Sequence, residues 1–170
     1  IFNHVAVGVA HAMDHYKIKR VAIIDFDVHH GDGTEDIFAN NPNVMLCSTF
    51  QHPFYPYRGT ETRSKNMINV PIAAKTSRED FKKAFQTEFS SALDSFKPNM
   101  IFISAGFDAH LNDPLADLTL IEDDYIWMTE FIKEKAKIYS NNRIVSSLEG
   151  GYHLESLSKS AFAHIDNLAK

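Results

Sequence analysis

The sequence has little that would cross-link it, anchor it in a bilayer or hold it to a polyanion. One cysteine, Cys47, among 170 residues excludes an internal disulfide. It sits in the apolar run VMLCSTF, which suits a small core residue better than a nucleophile. A chain with a single thiol fits a reducing cytoplasm. No apolar stretch reaches the roughly 18 residues of a membrane span, and no signal pattern is visible. Lysines and arginines never run longer than two, and the net charge is −5. Both argue against a nucleic-acid surface, which needs a basic patch. There are no repeats, low-complexity tracts or linkers, so 170 residues read as one domain.

What is present is an alternation of helical and strand-like segments. Helical spacing marks residues 3–16, through Val5, Val9, Met13 and Tyr16, and a short helix is expected over 34–39. A longer helix follows at 77–94, where Ser77 and Asp80 form a capping box ahead of a Phe81–Phe85–Phe89 stripe. Another is expected at 120–139, opened by Thr119 and Glu122, and a last one runs from Leu154 to Leu168. Strands are expected at 20–26, 43–50, 67–72, 99–105 and 143–148, with a proline-containing loop over 51–66. This order predicts an α/β fold, a mostly parallel sheet with helices on both faces. Ligands in such sheets gather at the carboxyl ends of the strands.

The chemistry-bearing residues fall at those ends. IIDFDVHHGDGT (23–34) closes the first strand with Asp25, Asp27, His29, His30 and Asp32. In an extended backbone Asp27 and His29 leave on the same face, so they can share an ion, with Asp108 after SAGF as a third ligand. Two carboxylates and one imidazole leave a position open, as a catalytic zinc site requires. Iron(II) or manganese suits the same set, and a solvated acidic loop is the plainer alternative. Asp25 is expected to be buried and to need a partner, whether histidine, a monovalent cation or backbone amides. Asp32 poses the same question, and either aspartate can orient an imidazole or cap the adjacent turn. His30 faces away from Asp27 and His29, as a packed, hydrogen-bonded residue. In LEGGYH, Gly150 and Gly151 allow close backbone approach, and the Tyr152 hydroxyl can donate to a developing oxyanion. Asp113, Asp117, Glu122 and Asp123 read as a solvated face near the rim.

Together DFDVHHGDGTEDIF, SAGFDAH with PLADL, and LEGGYHLESL resemble the histone deacetylase superfamily, including bacterial deacetylase-like amidohydrolases and acetoin-utilisation proteins. The resemblance runs over essentially the whole chain. It implies an arginase/deacetylase-like domain whose full sheet has eight strands. It also implies zinc on Asp27, His29 and Asp108, with Tyr152 stabilising the oxyanion as metal-activated water hydrolyses an N-acetyl-lysine or related N-acyl amine. A potassium-type site is implied at Asp25, the carbonyls of Asp27 and His29, and Ser48, and a second near Phe38, Asn41 and Val44. Phe54 or Tyr55 resembles the aromatic wall of the substrate tunnel, with Gly150 and Gly151 beside it.

In the family, the aspartates matching Asp25 and Asp32 pair with two adjacent histidines, one a general base, shortly before a stretch like GFCIFN. This chain opens within that stretch. Residues 1–170 are therefore expected to be the carboxyl half to two-thirds of a deacetylase domain, truncated on the N-terminal side. Such a segment is expected to need its missing part or self-association, and to hydrolyse poorly alone. The rival readings are a two-metal ureohydrolase of the arginase type and a non-catalytic acyl-lysine binding or assembly module.

Overall fold

The structure, a computed structural model, describes residues 2–61 and 64–170. Thr62 and Arg63, within the expected loop 51–66, and Ile1 lie outside the described residues. In chain order the elements are α1 (His4–Asp14), β1 (Val21–Asp25), α2 (Asp32–Phe38), β2 (Val44–Gln51) and β3 (Met67–Ile72). They continue with α3 (Arg78–Phe96), β4 (Met100–Ala105), α4 (Glu122–Tyr139), β5 (Ile144–Leu148) and α5 (Leu154–Leu168). The five strands form one parallel sheet in the order β3-β2-β1-β4-β5.

Helices on both faces explain the unbroken β-branched strand sequences. All five residues of β1 are buried, as expected for a central strand covered twice. Ala22 and Ile24 face Phe85, Phe89 and Leu93 of α3 together with Tyr125 and Ile132 of α4. Val21 and Ile23 face Val5 and Val9 of α1 and Phe38 of α2. Gly8 lets α1 lie close to the sheet, since a Cβ there would fall 2.8 Å from the Phe102 ring. The outer strand β5 is less covered: Val145 and Leu148 are exposed, as are Phe162 and Ile165 on α5. No described helix is long and apolar enough to cross a membrane.

The cap of α3 forms as the sequence predicts, with the Asp80 N–H donating to Ser77 Oγ at 3.1 Å. The cap of α4 differs. Its first turn begins one residue after Ile121, whose N–H donates to Asp124 Oδ2 at 2.9 Å. The Thr119 hydroxyl instead donates to the Thr76 carbonyl at 3.2 Å. Asp124 wins the cap because it is already fixed there: its buried carboxylate holds Arg78 Nε at 2.6 Å and Lys82 Nζ at 2.7 Å. That joins the starts of α3 and α4.

His164 ties α5 to the sheet. Its Nδ1 lies 2.7 Å from Thr129 Oγ1 on α4 and its Nε2 lies 2.9 Å from Ser146 Oγ on β5. Since Thr129 Oγ1 already donates to the Tyr125 carbonyl, it accepts from Nδ1–H, and Ser146 donates to Nε2. Burial pushes this imidazole down to about 4. Above pH 6.5 it is neutral whether folded or unfolded and contributes no pH dependence. As pH falls from 6.5 toward 4 the unfolded chain takes up a proton that the folded chain refuses. Stability is expected to drop by about 3 kcal/mol over that window through this group. Denaturant melts at pH 7, 5.5 and 4.5 check it: the His164→Gln protein should show a shallower acid slope than wild type.

Candidate metal centre

The site assembles where three parallel strands end. Asp25 closes β1, with Ser48 of β2 and Ser104 of β4 in register on either side. The strand stops there, so its pleat does not carry on to His29. The two ligand side chains meet by another route: the His29 N–H donates to Asp27 Oδ1 at 2.9 Å, and this turn folds both to one side. His29 Nδ1 lies 3.1 Å from Asp27 Oδ1 and 3.2 Å from Asp108 Oδ2. Asp108 arrives from the end of β4, and its Oδ1 accepts the Val28 N–H at 2.9 Å. Ligand atoms of Asp27, His29 and Asp108 all lie within 4.8 Å of one another.

Several features of this cluster fit a divalent cation. Asp108 is fully buried, and its Oδ2 has no hydrogen bond, its approach to His29 being off-line. Burial, more than the adjacent Asp27, raises its carboxyl above the usual range. The flanking carboxylates of Asp108 and Asp27 push the His29 imidazole up to about 10. A proton on His29 thus supplies the positive charge the two aspartates demand, a place a cation would take. Room is kept by glycine: a Cβ on Gly150 would fall 2.0 Å from Asp108 Oδ2, and one on Gly106 2.3 Å from Asp27 Oδ2. The Gly150 N–H also donates to Asp27 Oδ2 at 2.8 Å.

Around the cluster, Phe54 stacks on the His29 ring at 5.4 Å and Tyr55 meets it edge-on at 6.2 Å. Tyr152 follows the Gly150–Gly151 turn with its side chain half exposed. Partial burial and the nearby Asp108 and Asp27 raise its phenol, which keeps it a proton donor at neutral pH. Asp25 is buried and its Oδ1 accepts the Asp27 N–H at 3.1 Å, so a backbone amide meets one of its needs. Burial, with Asp27 and Glu149 close by, holds its carboxyl well above the usual range. Asp25, Asp27, Glu149 and Ser104 line a cleft of ≈ 370 Å³ together with Asn3 and His4. Asp32 starts α2, partly exposed, with Arg58 Nη1 3.5 Å away.

His30 turns away from the cluster, as its sequence position predicts. It is buried, with Nε2–H donating to Glu35 Oε2 at 2.9 Å and Nδ1 3.4 Å from Ser48 Oγ. Glu35 in turn accepts from Asn69 Nδ2 of β3 at 2.9 Å. Glu35 has one sequence signal for this role: its place three residues before buried Phe38 on α2 puts both on the inner face. Asp113, expected on a solvated face, is instead buried. Asp113 is 6% exposed and accepts backbone N–H groups from the Tyr152 turn, because that turn folds over it from 39 residues away.

The histone deacetylase domain family matches residues 1–168. An uncharacterized protein of Synechocystis sp., slr0245, is 38% identical over 163 residues, covering 94% of this chain and 52% of that protein. Histone deacetylase 14, chloroplastic, of Arabidopsis thaliana is 39% identical over 166 residues, covering 94% of this chain and 39% of that protein. The crystal structure of the HDA15 HD domain superposes with a TM-score of 0.88 at 34% identity, covering 96% of this chain and 48% of that one. The fold thus defines an α/β domain of the arginase/deacetylase type, with a candidate metal-binding cluster at its strand ends. The chain belongs to the histone deacetylase family. It spans about half the length of the Synechocystis relative and about two fifths of the Arabidopsis one.

Proposed function

We propose that this chain carries the metal-binding and oxyanion-stabilising part of a zinc-dependent deacylase, one that hydrolyses the amide of N-acetyl-lysine or a related N-acyl amine. The observation that carries this reading is the convergence of Asp27, His29 and Asp108 on one point, beside the Tyr152 turn. Zinc, or iron(II), held by these three would supply a Lewis acid and lower the pKa of a water molecule. The protein's own groups do the rest. Phe54 and Tyr55 flank the entry to His29 and confine an acyl-lysine chain. The Tyr152 hydroxyl donates to the acyl oxygen as it gains charge. Gly150 and Gly151 leave that oxygen space. Asp25, in register with Ser48, suits a structural potassium ion with the carbonyls of Asp27 and His29.

The family resemblance makes the general base an imidazole within reach of the reacting water. His30 does not fit, since it is buried against Glu35. His29 is a ligand. His4 lines the cleft beside Asp25, near Glu149; following the family resemblance we assign the base instead to a pair of adjacent histidines other than His29 and His30, seated at this cleft with Asp25 and Asp32 orienting them. A two-metal ureohydrolase is less well supported: among the described residues one group of three ligands is found, and SAGFDAH gives it one carboxylate. A purely binding module would not need a phenol at the open corner. The single buried thiol is our ground for placing the protein in the cytoplasm.

The test is turnover of a fluorogenic acetyl-lysine peptide by the full-length protein. We expect activity that a chelator abolishes and added zinc restores, and roughly 10²–10⁴-fold less from residues 1–170 alone, the usual contribution of general-base catalysis. Turnover indifferent to chelation would refute the reading.

A further inference from the structure

Tyr152 has to bring its phenol to the metal centre, and the turn before it is tied there at Gly150, whose N–H donates to Asp27 Oδ2 at 2.8 Å and whose carbonyl accepts the Phe107 N–H at 2.8 Å. Beyond those bonds the residue is 51% exposed, so packing constrains it weakly. The two residues before it are glycines, and Gly151 has φ +135°, a conformation that side chains resist. Such a segment has many accessible conformations unless something fixes its backbone.

Asp113 is placed to fix it. Its Oδ2 accepts the Tyr152 N–H at 2.7 Å and the His153 N–H at 3.3 Å, while Oδ1 accepts the Leu115 N–H at 3.0 Å. A buried carboxylate that receives several amides makes charge-assisted bonds, roughly twice as strong as neutral ones. The loop bearing Asp113 is itself firmly held. The Asp113 N–H donates to the His110 carbonyl at 2.8 Å, the Leu111 N–H to Leu120 at 2.9 Å, and the Leu120 N–H to Ala109 at 3.1 Å. That loop begins at Asp108, a member of the metal cluster. One short loop therefore carries a metal ligand at one end and the anchor of the tyrosine turn five residues on.

We infer that Asp113 is the positioning residue for Tyr152: it fixes the distance between phenol and metal by bonding the tyrosine backbone to the loop that supplies Asp108. This rests on the deacylase reading for its catalytic consequence, but the clamp itself can be measured without turnover.

The experiment compares wild type with D113N in the full-length protein, because the asparagine amide turns an N–H toward backbone donors. Amide hydrogen exchange should show protection at Tyr152 and His153 falling at least tenfold in D113N, with β1 and β4 unchanged. Zinc affinity, from chelator competition, should stay within about twofold. With the acetyl-lysine peptide, kcat should fall 10- to 100-fold at nearly constant KM. In the Y152F background the same substitution should cost less than twofold, since the group it positions is gone. D113E, which keeps the charge one methylene further out, should lie between the two. Should D113N lose its cooperative melt, D113E carries the comparison.

Unchanged protection at Tyr152 and His153 overturns the clamp. A kcat loss that persists in full in the Y152F background overturns its action through the phenol. Absent turnover in the wild type with lost amide protection in D113N would sink the deacylase reading and leave the clamp standing.

Discussion

Zinc is expected to raise the melting temperature of the wild-type protein and to leave that of Asp108→Asn nearly unmoved. An ion at this cluster would bind the folded chain alone, because Asp108 reaches Asp27 and His29 only when the end of β4 lies beside the end of β1. At free zinc a hundredfold above its Kd, linkage adds about 2.7 kcal/mol. Asparagine at 108 keeps an acceptor for the Val28 N–H but removes the charge that faces His29. Affinity should fall by more than the ~10–100-fold typical of losing an outer-sphere partner. Binding also has to displace the proton that Asp108 and Asp27 stabilise on His29, whose imidazole stands at about 10 without metal. Near pH 7 each zinc bound is expected to release close to one proton. Calorimetry in two buffers of different ionisation enthalpy measures that number. A melting temperature that responds to zinc equally in both proteins would place the ion elsewhere.

The cluster of Asp27, His29 and Asp108 was legible in the sequence because its members are chemically distinctive and lie at strand ends. Asp27 and His29 are two residues apart, at the end of a strand that a β-branched run announces. Asp108 follows a second such run, and parallel sheets bring strand ends together. Strand pleat does not by itself bring Asp27 and His29 together, since β1 stops at Asp25 and a side-chain turn on the His29 N–H makes the geometry. What stayed hidden depends on long-range contact. Asp113 reads as one more acid in a polar loop until Tyr152 folds over it. Thr119 looks like a cap for α4 until α3 brings Arg78 and Lys82 to Asp124. Strand order was likewise out of reach: β4 lies beside β1 although β2 and β3 intervene in the chain. No local pattern encodes which strand closes on which.

Tyr152→Phe should lower kcat for an acetyl-lysine substrate by roughly 10²–10³, the range for losing one oxyanion donor. The substitution removes a single hydroxyl at a half-exposed position, so neither the fold nor the metal cluster should change. Zinc affinity and melting temperature therefore stay at wild-type values. KM should also change little, because the phenol's bond strengthens only as negative charge develops on the acyl oxygen. That combination separates Tyr152 from Phe54, whose ring stacks on His29. Phe54→Ala should raise KM more than it lowers kcat, since an aromatic wall binds ground state and transition state alike. The phenol's raised pKa sharpens the assignment. A group that stays protonated well past neutrality donates throughout the working range, so loss of Tyr152 should depress the pH–rate profile without moving its acidic limb. A variant that kept wild-type kcat would show that the open corner of the metal centre is served by another donor.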